Sequence, residues 1–199
     1  MQKNRFKKIG DFVIDGNDTL AWVENFDEKF FHIRPNGKAA YVEQYVYVGD
    51  YINHYAVAQD DLGSFHIKKN GKRLYGKIYD DARPFHDGLA AVENVHGDVF
   101  FIDTTGFQPA TWSKEKYLMV GDFINGCTWV KDHNGRFFLK NKLGEKILGD
   151  NTTYKSIIPD PNERGRYIAK NDSMTFILII KQDNSVQVIL DEKPKRKKN

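Results

Sequence analysis

His32-Ile33-Arg34-Pro35-Asn36-Gly37-Lys38 returns as His66-Ile67-Lys68-Lys69-Asn70-Gly71-Lys72, and the fold follows from that recurrence. Two further copies stand downstream: Phe101-Ile102-Asp103-Thr104-Thr105-Gly106, and Phe138-Leu139-Lys140-Asn141-Lys142-Leu143-Gly144-Glu145-Lys146. Asn-Gly tolerates positive φ and suits a tight hairpin turn, so each copy reads as strand, turn, strand. Upstream of each turn, a Val precedes the Ile or Leu by nine or ten positions: Val23 to Ile33, Val57 to Ile67, Val92 to Ile102, Val130 to Leu139. A more degenerate fifth unit runs from Ile168 to Leu178. Repeats of this period build solenoids, propellers or arrays.

A second repeated element lies further upstream. Gly10-Asp11-Phe12, Gly49-Asp50-Tyr51 and Gly121-Asp122-Phe123 match one another, and Asp81-Ala82-Arg83-Pro84-Phe85 takes that place in the third copy. The first copy carries extra residues, Asp15 to Asp18, read as a longer loop. Each unit is therefore a three-stranded meander that cannot bury its apolar face alone, so neighbouring units must stack. The Val and Ile positions, with the aromatics at 12, 51, 85 and 123, are the expected packing residues. Residues 112–119 are the best local helix candidate, in a connector that could equally be extended.

The third unit, Tyr79-Asp80-Asp81-Ala82-Arg83-Pro84-Phe85-His86-Asp87-Gly88-Leu89-Ala90-Ala91-Val92-Glu93 followed by Gly97-Asp98-Val99-Phe100-Phe101-Ile102-Asp103, resembles the WG (KWG) β-repeat family. The second and fourth units match in part. The Trp-Gly pair that names the family is absent: Asp98-Val99, Gly63-Ser64 and Gly135-Arg136 stand in its place. The resemblance implies a bacterial β-repeat protein that acts as a binding scaffold, and it implies no catalytic residue.

Composition narrows the classes. The formal charge of +3 equals that of residues 191–199, which hold five basic and two acidic side chains, so the rest of the chain is neutral. That tail reads as a disordered solubilising end, with polyanion contact as the sharper alternative. No apolar run reaches membrane-span length, and no apolar segment follows the charged N-terminus. The single cysteine, Cys127, forbids an internal disulfide and suits a reducing, cytoplasmic setting; it reads as a small buried filler. No cofactor is expected, because phosphate-binding loops and metal-ligand spacings are both missing.

Three groups remain as candidates for chemistry. His32 and His66 share a repeat position with Phe101 and Phe138, which marks them as buried strand residues. Asp11, Asp50 and Asp122 recur in one register, with Asp81 close to it; they form either turn caps or a ring of carboxylates for a cation or sugar. Trp22 and Trp129 precede the repeated Val and so face the other side of their sheets, as core or as a platform for sugars or peptide side chains.

The expected architecture is all-β: a single domain over residues 1–190 of about five tandem three-stranded meander repeats, as an open solenoid or propeller-like ring. The expected function is a non-enzymatic interaction scaffold for a protein or peptide partner. A carbohydrate-binding, lectin-like module on Trp22, Trp129, Asp11, Asp50 and Asp122 is the alternative, and a propeller hydrolase ranks last. Deleting residues 191–199 is expected to lower the isoelectric point and to weaken any salt-sensitive binding to a polyanion such as heparin. The melting temperature should barely move; a drop of several degrees would show that the tail packs on the body.

Overall fold

The computed structural model describes residues 5–112, 115–149 and 152–191, so most of the basic tail, residues 192–199, lies outside the described part. Every sheet is antiparallel, and helix is limited among the described residues to a short 3₁₀ turn at Ala110–Trp112. Among the described residues of the helix candidate 112–119, Trp112 ends the 3₁₀ turn and Met119 is already strand, so none of them is α-helical. No helix among the described residues is long and apolar enough to cross a membrane.

Five sheets follow one another along the chain. The first contains β1 (Lys8–Ile9), β2 (Val13–Asp15), β3 (Asp18–Glu24) and β4 (Phe30–Ile33). Next come β5 (Tyr47–Val48), β6 (Ala56–Asp60) and β7 (Gly63–Ile67), then β8 (Asp81–Ala82), β9 (Ala90–Glu93) and β10 (Val99–Ile102). The fourth sheet has β11 (Met119–Val120), β12 (Cys127–Lys131), β13 (Phe137–Asn141) and β14 (Lys146–Ile147). The fifth has β15 (Ser156–Pro159), β16 (Arg166–Lys170), β17 (Thr175–Ile180) and β18 (Val186–Leu190). The first three sheets belong to one compact unit, Met1–Pro109, and the last two to another, Ala110–Asn199. The expected meander is present in all five repeats. The first, fourth and fifth add a strand, and the extra residues of the first form the β2–β3 hairpin, with Asp15 opposite Asp18, in place of a longer loop.

Strand pairing corrects the repeat alignment. Gly10 donates its N–H to the Trp22 carbonyl, and Gly49, Arg83 and Gly121 donate theirs to Val57, Ala91 and Trp129. Val57 thus stands where Trp22 and Trp129 stand, and Ala58 matches Val23. Downstream, Trp129 pairs with Leu139 as Trp22 pairs with His32. Leu139 therefore occupies the histidine position, and Lys140 the position of Ile33, Ile67 and Ile102. Lys140 is buried there because it donates to the Gly144 carbonyl at 2.9 Å and pairs with the Glu115 carboxylate. The Trp112 and Tyr117 rings lie 5.3 and 5.7 Å from its ammonium. A lysine with such partners fills a core position that an apolar pattern assigns to its neighbour.

The turns use their residues unevenly. Gly37 and Gly71 take positive φ, whereas Asn36 and Asn70 act through their side chains, accepting from the N–H of Lys38 and Lys72. Gly71 also lies against the Tyr41 ring. Cys127 is buried, as expected. Of the four predicted packing aromatics, Tyr51, Phe85 and Phe123 are buried while Phe12 is 40% exposed. Tyr51 and Phe85 each lie beneath the histidine of the preceding repeat, and Phe12 belongs to the first repeat described.

Two glycines separate backbone strain from steric clash. An added Cβ at Gly71 would lie 2.4 Å from the Tyr41 ring at φ +80, whereas at Gly88, φ +84, it would meet nothing within 4 Å. Gly88→Ala is expected to cost roughly 1 kcal/mol, and Gly71→Ala about 3 kcal/mol or more, in urea unfolding. Equal losses would show that Tyr41 yields freely.

Candidate binding site

Both buried histidines lie at the joints between successive repeats of the first unit. His32 is 1% exposed and His66 0%. His32 Nε2 lies 3.0 Å from the Gly49 carbonyl and Nδ1 2.6 Å from the Tyr41 hydroxyl. His66 repeats the arrangement, 2.8 Å from the Arg83 carbonyl and 2.6 Å from the Tyr75 hydroxyl. A carbonyl only accepts, so Nε2 carries the proton and Nδ1 accepts from the tyrosine. Each imidazole also lies on the aromatic of the next repeat, with centroids 4.5 Å apart for His32–Tyr51 and 4.4 Å for His66–Phe85.

These joints fix the backbone at Gly49 and Arg83, and both residues line a groove of about 590 Å³. Tyr47, Val57, Gln59 and Ser64 of the second repeat form one wall, and Asp81, Ala82, Arg83 and Pro84 of the third form the other; Gly49, Asp50 and Ile52 complete it. Alternation along β6 and β7 places Val57, Gln59, Ser64 and His66 on one face of the sheet. Arg83-Pro84 is the third copy's substitute for Gly-Asp, so Pro84 holds the register of Asp50, and Asp81 stands three positions earlier.

The candidate residues are placed as follows. Asp50 lines the groove and Asp11 faces it electrostatically: partial burial raises the Asp50 carboxyl above its usual range, and the negative charge of Asp11 adds to the rise. Neither carboxylate accepts a hydrogen bond from a described residue. Asp122 lies in the second unit and has partners of its own. Trp22 and Trp129 fall in separate units but make the same local contact. A Cβ on Gly10 would lie 2.3 Å from the Trp22 indole nitrogen, and one on Gly121 2.4 Å from that of Trp129. Each half-buried indole thus rests on the glycine of its own Gly-Asp-aromatic element. Beyond Trp22, Phe30 and then Tyr47 follow at centroid spacings of 6.0 Å each, which leads the aromatic row to the groove.

Sequence reasoning missed Tyr47, Gln59, Ser64 and Arg83 as wall residues. Their one visible signal was the Arg83-Pro84 departure. Among the described residues, no three histidine, cysteine or acidic side chains come close enough together to hold a metal ion.

No protein-family model and no curated protein matches the sequence. Solved structures do match. The computationally designed Ika8 protein aligns with a TM-score of 0.50 and 10% identity, over 91% of this chain and 61% of that one. BamB from Moraxella catarrhalis aligns with a TM-score of 0.45 and 12% identity, over 92% and 64% of the two chains. The WD40 β-propeller domain of Doa1 gives 0.40 and 13%, over 91% and 68%. The chain thus spans under two thirds of the length of Ika8 and of BamB, and at these identities the likeness concerns the fold alone.

The joints make stability depend on pH. Burial lowers the pKa of both histidines to about 4 from 6.5. Between those values the unfolded chain binds protons that the folded chain refuses, so stability falls as pH drops from 6.5 toward 4, by at most about 3 kcal/mol per histidine. Phe101 shows that a phenyl ring fits this repeat position, so the variant carrying His32→Phe and His66→Phe should have a urea midpoint that is nearly flat over that window. An unchanged slope would exclude the joints as its source.

Proposed function

We propose that the protein is a non-enzymatic, WG-repeat-like interaction scaffold that receives an extended segment of a protein or peptide partner. The groove between the second and third repeats carries this reading. It is open, its lining is mostly apolar, and hydrogen-bonding groups from Gln59, Ser64, Asp50 and Asp81 border it. A peptide needs that combination, with apolar surface for affinity and a few placed polar groups for register. The His32 and His66 joints hold both walls rigid, which reduces the entropy lost on binding. The carbohydrate alternative rests on exposed indole faces, and Gly10 and Gly121 already cover one face of Trp22 and Trp129.

Selecting a random peptide phage library on the immobilised chain tests the proposal. Enriched peptides should lose at least tenfold in affinity for Gln59→Trp, which fills the groove, and should bind normally to Val42→Trp, a change at a site 92% exposed. Peptides insensitive to Gln59→Trp, or no enrichment at all, would overturn it.

A further inference from the structure

We infer that the groove's occupant is an extended basic peptide, with Lys or Arg side chains spaced along it. This rests on the groove being a peptide site. The observation that selects the occupant is a set of carboxylates without cations. Several other acidic side chains of the first unit are paired: Glu24 with Lys7 and Lys8, Asp15 and Asp18 with Lys69, Asp18 with Arg34, and Asp60 with Arg73. The side-chain carboxylates of Asp11, Asp50, Asp81 and Glu93 make no ion pair or hydrogen bond among the described residues. The cation in the groove lining, Arg83, has partners of its own.

The repeats provide an internal comparison. One cross-strand position holds Lys8 opposite Glu24 in the first sheet, joined by a 2.8 Å salt bridge. The same position holds Tyr47 opposite Gln59 in the second sheet and Met119 opposite Lys131 in the fourth. In the third sheet it holds Asp81 opposite Glu93. Like charges directly opposite each other destabilise a sheet. Here that pair stands beside the groove, and Asp50 with Asp11 beyond it repels in the same way. A cationic ligand would relieve both repulsions on binding.

The spacing decides between kinds of cation. The four carboxylates sit on four separate segments of three repeats, and no three histidine, cysteine or acidic side chains among the described residues come together to hold a metal ion. A single ion cannot neutralise them together. An extended peptide places alternate side chains about 6.8 Å apart on one side, and so presents several cations in series. The Tyr47 ring is also suited to the face of an arginine or lysine.

Fluorescence anisotropy with a labelled Lys-Ala-Lys-Ala-Lys-Ala-Lys-Ala octapeptide tests the inference. Saturable binding is expected, and the analogue with Gln in place of Lys should bind at least tenfold more weakly. The combined variant Asp50→Asn, Asp81→Asn, Glu93→Gln should lose at least tenfold in affinity and most of the salt dependence. Its melting temperature should rise or hold, because like charges have been removed, so lost binding cannot come from unfolding. Equal binding of the Gln peptide, unchanged binding by the variant, or spermine binding as tightly as the octapeptide would each overturn the inference. If library peptides occupy the groove but carry no basic residues, the scaffold reading stands and this inference fails. If no peptide is sensitive to Gln59→Trp, both fail.

Discussion

The imidazole at each joint between repeats is the contact on which the arrangement of the first unit depends. A single buried histidine ties three parts of the chain: its own strand, the tyrosine of the following connector, and the backbone of the next repeat. Both ring nitrogens are satisfied, so burial costs little, whereas an unpaired imidazole in that place would cost a full desolvation penalty. Hydrophobic stacking brings the sheets together, but it is non-directional. The hydrogen bond to the Gly49 or Arg83 carbonyl fixes the height and register at which the next sheet sits.

The groove is a consequence of that register. The second and third repeats are held together at His66, Tyr75 and Phe85, and the groove opens between Tyr47 and Asp50 on one side and Pro84 on the other. The walls therefore come from a rigid joint, while their chemistry is free to vary between repeats. The Asp81–Glu93 pair shows that freedom. The core positions Ala82 and Val92 beside it are buried, as are Val48 with Ala58 and Val120 with Val130, while the rim position holds two like charges. An array bears such a local cost because each sheet is stabilised chiefly by its neighbours and not by its rim.

Much of the fold was legible because the repeat exposes it. Asn36-Gly37 and Asn70-Gly71 mark the turns through positive φ at glycine, and Val-to-Ile spacing marks the strands they join. The alignment slipped by one residue in the second and fourth repeats, where the residue type misleads. Val57 looks like the core Val of its neighbours but stands in the Trp22 position, and Lys140 looks like surface but is buried on Trp112 and Tyr117. A one-residue slip in a strand exchanges its two faces, so it also misplaces wall residues such as Gln59.

By itself the sequence determined the class of object: tandem antiparallel meanders, their turns, and a core of small aliphatic and aromatic side chains. Period and turn chemistry are local properties, and local properties can be read along a chain. Which charges are compensated and which are left unpaired was decided only in the tertiary structure. Lys69 reaches back to Asp15 and Asp18, while the charge of Asp11 is brought within range to repel that of Asp50. Those outcomes depend on how one repeat is seated on the next, and a buried histidine bonded to a distant carbonyl sets that seating.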